Sequence, residues 1–352
     1  MIKKKKSVFQ ETPPTTGWFP HILDSRDITF AEAVPFDDIP EEYDTKDLPP
    51  DYQNGIGKCV LESFSYLSRL QDYYETGEDK GQSADAGYII AKEYYDKDRN
   101  NGTTLLTGAK VAVEWGFPED DVFPDDERLW DEPDKYFDLT RWTENIKENA
   151  AIHRKLAYAR VGGLDFGNIS AEELKQAIYQ RKGAVIAHRG NNEFLGPGTG
   201  FVHPPSALVD PLWYHAVCFK GYKKFNDILH FKAANWWDPK QEGAFNGKGF
   251  GWYKFNEWQP HLWGGFTTID ALKDEFVKKT KMAKLYRSPV ANEEVYAINE
   301  GFRSHVVNAY TLREGAKIKY WLWKEGDEIP VAPDSLWNAT VEMSEIITSP
   351  QD

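Results

Sequence analysis

The chain has 352 residues, 41% of them hydrophobic, with 42 Lys and Arg against 56 Asp and Glu, a formal net charge of −14. That length holds two domains, or one large domain with an appendage, around an adequate core. So acidic a body argues against general nucleic-acid binding, which needs surplus Lys and Arg. Its two cysteines, Cys59 and Cys218, make no disulfide framework and suit a reducing compartment or a fold that needs no stapling.

Residues 1–16 read as a tail whose run Lys3–Lys6 is a solvated, disordered segment rather than a nucleic-acid arm. Ser7 to Glu11 is too polar for the apolar core of a signal peptide, so synthesis in the cytoplasm is expected. No apolar run reaches the about 18 residues of a membrane span. From Gly17 to Pro50 the chain is rich in Pro and Asp and is expected to wrap the surface in extended form. Leu61, Phe64, Leu67 and Leu70 recur at three-residue steps and predict a helix from Cys59 through Gln71. A second helix is expected from Ser83 to Tyr95, and a third from the cap Thr104 to Trp115, closed by Gly116. Ser170-Ala171-Glu172-Glu173 reads as a capping box opening a helix to Arg181. Strands follow at 184–187, 215–222, 228–233 and 263–269, with glycines and aromatics alternating over 247–255. Helices early and strands late predict an α+β fold. Residues 271–283 read as a charged linker. Strand-like pieces at 284–286, 294–298, 305–308 and 317–323 predict a small, mostly β module over 284–352.

A thiol attacks an amide only as thiolate, so a Cys peptidase needs a His beside the sulfur and a third group to orient that His. In Gln53-Asn54-Gly55-Ile56-Gly57-Lys58-Cys59 a cysteine stands at a predicted helix N-terminus, where the macrodipole and free N–H groups favour the anion. The Cys59 N–H and Gln53 are candidate oxyanion donors. Trp213-Tyr214-His215-Ala216-Val217 starts a strand with His, and Asn235-Trp236-Trp237 follows the next strand. A hairpin brings His215 and Asn235 within reach, with aromatic rings to exclude water. Cys218, three residues past His215 on an apolar strand, is expected to be a packed core thiol. The other histidines have no metal-ligand spacing, and no cofactor is inferred.

These segments, in the order Cys, His, Asn, resemble the papain family of cysteine peptidases, and the match covers about residues 17–270. Gly17-Trp18-Phe19-Pro20 followed by Asp24-Ser25-Arg26-Asp27 resembles the leader of bacterial members without a long inhibitory propeptide, and Asn101-Gly102-Thr103-Thr104 resembles their cleft glycine loop. The resemblance implies a two-lobed papain-like fold, with a helical lobe and a β-sheet lobe, that hydrolyses peptide or protein substrates. It assigns Cys59, His215, Asn235 and Gln53 to catalysis and Gly57, Gly102, Thr103, Tyr214 and Trp237 to the cleft.

Three departures stand out: Lys58 before the nucleophile, where a side chain directed to solvent is expected; Val60 after it; and Asp238-Pro239, which reshapes a loop. The C-terminal module resembles small modules of bacterial and bacteriophage surface or tail proteins. Its Trp321, Trp323 and Trp337 serve either as a core or as a stacking surface for a virion or cell-surface partner. The competing reading is a papain-fold binding component with a blocked cleft, signalled by the N-terminal arm or the 190–211 insert lying over Cys59.

Overall fold

The computed structural model describes residues 17–20, 29–53, 56–125, 129, 132–163, 165–191, 194, 200–206, 213–237, 248–269, 284–287, 295–299, 302–306 and 341–346. The basic tail, the 271–283 linker, Asp238-Pro239, most of the 190–211 insert, the piece at 317–323 and all three C-terminal tryptophans lie outside them. The chain divides into two compact units, 1–270 and 271–352.

In the larger unit the helices come first. After β1 (Trp18–Phe19), α1 (Phe30–Ala33) and β2 (Tyr43–Asp44), the central helix α2 (Cys59–Thr76) runs five residues beyond its expected end. Gly77 stops it in the left-handed region, at φ 81°. Leu61, Phe64, Leu67 and Leu70 are all fully buried, as their spacing demands. Ser83 caps α3 (Ala84–Ile90), which continues as a π-helical turn over Ala91–Asp96. β3 (Thr103–Thr104) then leads into α4 (Leu105–Glu114), whose cap Thr104 accepts from the Thr107 N–H.

Two short helices, α5 (Pro133–Tyr136) and α6 (Glu144–Ile152), precede β4 (Ala157–Val161), α7 (Ala171–Arg181) and β5 (Ala184–Gly190). The chain closes with β6 (Phe201–Val202), β7 (Trp213–Phe225), β8 (Ile228–Ala234), β9 (Phe250–Lys254), α8 (Phe255–Trp258) and β10 (Leu262–Ile269).

These strands form one mixed sheet in the order β4-β10-β5-β7-β8-β9-β6, with β2 added on β7. Alternation along β7 splits the interior in two. Ala216 and Cys218 face the core built with α2, α3 and α4; Val217 and Phe219 face a second core with α7 and β9. Cys218 is fully buried, and its thiol is pushed up to about 12 by that burial. This is the packed core thiol expected of it.

The leader departs from the extended wrap. Thr29 and Glu32 form a capping box on α1, and Phe30 is fully buried against the second core. Further on, Asp44 and Asp47 clamp the buried ammonium groups of Lys220 and Lys232, at 2.7 Å for the shortest contact of each pair. No helix among the described residues is long and apolar enough to cross a membrane.

The second unit contains β11 (Lys284–Arg287), β12 (Val295–Asn299), β13 (Phe302–Val306) and β14 (Val341–Ile346). They form one sheet in that order, antiparallel except for the parallel β13–β14 pair. The third strand lies three residues before its expected start, and β14 has no counterpart among the expected strands.

Candidate active site

Cys59 opens α2 and is fully buried. Its thiol is pushed up to about 12 by burial; backbone hydrogen bonds from Ala216, Val60 and Cys59 itself pull the other way, and the Glu62 carboxylate adds to the upward push. The contact with Ala216 matters for assembly, because Ala216 directly follows His215 on β7 and ties the helix tip to the strand.

Lys58 does not reach solvent. Its side chain is fully buried, with Nζ 2.6 Å from Asp85 Oδ1, 2.9 Å from Glu62 Oε1 and 2.9 Å from Asp125 Oδ2. An ammonium this deep persists only because three carboxylates surround it. The solvent-directed reading failed because two of those partners, Asp85 and Asp125, are distant in sequence.

The β7–β8 hairpin turns at Asn226-Asp227, both with positive φ (49° and 64°), the geometry of a tight hairpin turn. Its register pairs Cys218 with Ala234, so Asn235 emerges beside the start of β7. His215 Nε2 donates to Asn235 Oδ1 over 2.6 Å. That bond selects the tautomer with a bare Nδ1, and Nδ1 has no hydrogen-bond partner among the described residues. Trp237 covers the imidazole at 4.6 Å between ring centroids, and His188, paired with His215 across β5–β7, packs behind it at 5.6 Å. Burial holds His215 down to about 4, against the Asn235 hydrogen bond that favours its charged form. No hydrogen bond joins Nδ1 to the sulfur, and burial favours neutral forms of both groups.

Gln53 is buried and its amide nitrogen is occupied: Nε2 donates to Ile56 O over 2.9 Å, and Oε1 has no partner among the described residues. Gly57 and Gly102 do meet. The Gly57 N–H donates to Asn101 Oδ1, and a Cβ on Gly57 would lie 2.6 Å from Gly102 N. Gly102 itself offers nothing to an incoming chain, because its N–H donates to Tyr88 Oη (3.0 Å) and its carbonyl accepts from buried Lys92 (2.9 Å). The free edge of the loop is Thr103.

That edge is already paired. The Thr103 N–H donates to Gly17 O over 3.1 Å, and β1 lies parallel to β3 with Trp18 opposite Thr103. Residues 17–20 therefore form a strap across the site. A Cβ added to Gly17 would stand 2.4 Å from Cys59 Sγ and 3.1 Å from Gly57 O, so only glycine fits over the sulfur. The next residue, Trp18, is fully buried in a cage of Phe166, Tyr214 and Trp263, at 6.4, 5.6 and 5.4 Å between centroids. Phe166 and Trp263 escaped the sequence reading. They sit on a loop and on β10 with no local motif, and only sheet closure brings them to Tyr214.

No protein-family model matches the chain, and no curated protein does. Solved structures do resemble it. Xylellain, a cysteine protease from Xylella fastidiosa, superposes with a TM-score of 0.59 at 17% identity, covering 77% of this chain and 99% of its own. Digestive procathepsin L2 proteinase from Tenebrio molitor larval midgut gives 0.53 at 14% identity over 72% and 78%. ProCathepsin B S9 from Trypanosoma congolense gives 0.51 at 16% identity over 74% and 88%. The fold is papain-like, with a helical lobe and a sheet lobe.

Proposed function

We propose that the chain is a papain-like cysteine peptidase held in a closed state by its own strap. The observation that carries this reading is the set His215–Asn235 and Cys59–Ala216. An imidazole tautomer is fixed from behind at 2.6 Å, its bare nitrogen is left without a partner, and a helix-tip sulfur lies against the next residue of the same strand. Once the strap lifts, water enters and the burial that suppresses both charges is relieved, so the sulfur passes its proton to His215 Nδ1. The thiolate attacks the peptide carbonyl, forming the S–C bond. The oxyanion is met by the Cys59 N–H and by Gln53, whose amide swings away from Ile56. The His215 imidazolium then protonates the leaving amine as the C–N bond breaks, and water, deprotonated by His215, releases the acyl group. Throughout, Asn235 steadies the ring and Trp237 keeps water from that bond.

The second reading, which the cysteine-protease neighbours do not favour, is a binding scaffold with a cleft permanently blocked by the strap over Cys59. Lifting the strap separates the two. Gly17→Ala places a methyl group against the sulfur and drives the strap off. The expected result is faster modification of Cys59 by iodoacetamide and hydrolysis of unfolded protein that Cys59→Ala abolishes. A Gly17→Ala chain that alkylates readily at Cys59 yet cleaves nothing would overturn the peptidase reading in favour of the scaffold.

A further inference from the structure

The ion cluster beneath the nucleophile does more than fill space. Lys58 is the N-cap of α2 and makes no side-chain cap bond, so the helix tip that carries Cys59 is held from below through its ammonium. That ammonium joins three elements: Glu62 one turn along α2, Asp85 in the first turn of α3, and Asp125 on the loop after residue 117. Tyr136 on α5 donates to Asp85 over 2.9 Å, and Ser83 donates to Asp125 over 3.3 Å. Nearby, Arg69 pairs with Asp51 and Asp79 at 2.7 and 2.8 Å. Asp51, Asp120 and Asp125 line a cavity of about 210 Å³ with Gln82.

Six carboxylates, Asp51, Glu62, Asp79, Asp85, Asp120 and Asp125, thus surround two cations. Glu62 is the member three residues from Cys59, on the same side of the helix, and is almost wholly buried. Its Oε2 has no hydrogen-bond partner among the described residues, so nothing but Lys58 offsets its charge at close range.

We propose that Glu62, held by Lys58 under the helix tip, is a positioning residue for the nucleophile whose charge sets how readily the Cys59 thiol gives up its proton. The inference rests on reading Cys59 as the nucleophile. When Glu62 carries a proton, the helix tip is free to stabilise the thiolate. When Glu62 is ionised, a negative charge one turn away opposes a second one on the sulfur. Burial pushes Glu62 up against the pull of Lys58, and the carboxylates of Asp51 and Asp125 add to the rise. Glu62 in turn pushes the thiol up. Glu62 itself takes no part in bond making.

The test titrates the thiolate of the full-length chain by its ultraviolet absorbance, taken as the difference from the same chain carrying Cys59→Ser. Glu62→Gln is expected to move thiolate formation to lower pH by about two units, the size of the effect between charges a helical turn apart at an effective dielectric of about 20. Glu62→Asp, which keeps the charge, should retain the parent profile at alkaline pH. Superimposable titrations of the parent and a folded Glu62→Gln chain would overturn the proposal. Because the readout is ionisation and not hydrolysis, that failure is distinct from a failure of the peptidase reading.

Discussion

At the scale of single residues, the site is a neutral pair kept neutral by burial. His215 depends on Asn235 for its orientation, and Asn235 Oδ1 is the only acceptor that Nε2 meets among the described residues. Asn235→Ala on a strap-lifted chain should lower kcat by two to three orders of magnitude, within the about 10²–10⁴-fold that a positioned acid–base group contributes. It should leave the extent of Cys59 alkylation intact, and steady-state kinetics beside alkylation mass spectrometry separate the two. Cys59, His215 and Asn235 were legible in the sequence because each sits at the end of a regular element whose pattern is local. Lys58 was not legible, since whether a lysine turns inward depends on carboxylates that α3 and a distant loop deliver. Gly102 was recognised as a glycine of the cleft loop, but the capture of both its backbone groups by Tyr88 and Lys92 follows from the packing of α3 and the π-helical turn.

Between elements, the leader is attached to the sheet by charge. Asp44 and Asp47 hold Lys220 on β7 and Lys232 on β8, and Lys220 is fully buried. Replacing both aspartates by Asn leaves an ammonium buried without a counter-charge. The expected loss is about 3 kcal/mol, the low end for a broken buried pair because the carboxylates are themselves half exposed. Urea unfolding measures it, and an unchanged midpoint would show the clamp to be idle. Helices α2, α3, α4 and α7 and the strands β5, β7, β8, β9 and β10 followed from apolar spacing and caps. The short α1, α5 and α8, helix α6 and strands β4 and β6 did not: each is short or lacks a sustained apolar period, and docking on the larger elements forms them.

For the larger unit as a whole, closure and protonation are linked. His215 is held at about 4 in the closed state, against its ordinary 6.5. A histidine that binds its proton more weakly when closed leaves closure at full strength above 6.5 and weakens it as pH falls from 6.5 toward about 4. The difference amounts to at most about 3 kcal/mol. Acidification across that range should therefore lift the strap. Hydrogen exchange at the Thr103 amide, corrected for its intrinsic pH dependence, reads this directly, because that amide donates to Gly17. Exchange that stays equally protected throughout would contradict the linkage. No local pattern announced this coupling, since it arises from one short segment lying across two lobes.

The indole of Trp18 is wedged among three rings, while the strap that bears it joins β3 over only two residues. Such a stopper is gripped by the solvent's aversion to apolar surface, worth about 2–3 kcal/mol for a side chain of this size, and not by attraction between ions. Its grip should tighten in sulfate, slacken in the cold and in dilute urea, and scarcely notice sodium chloride.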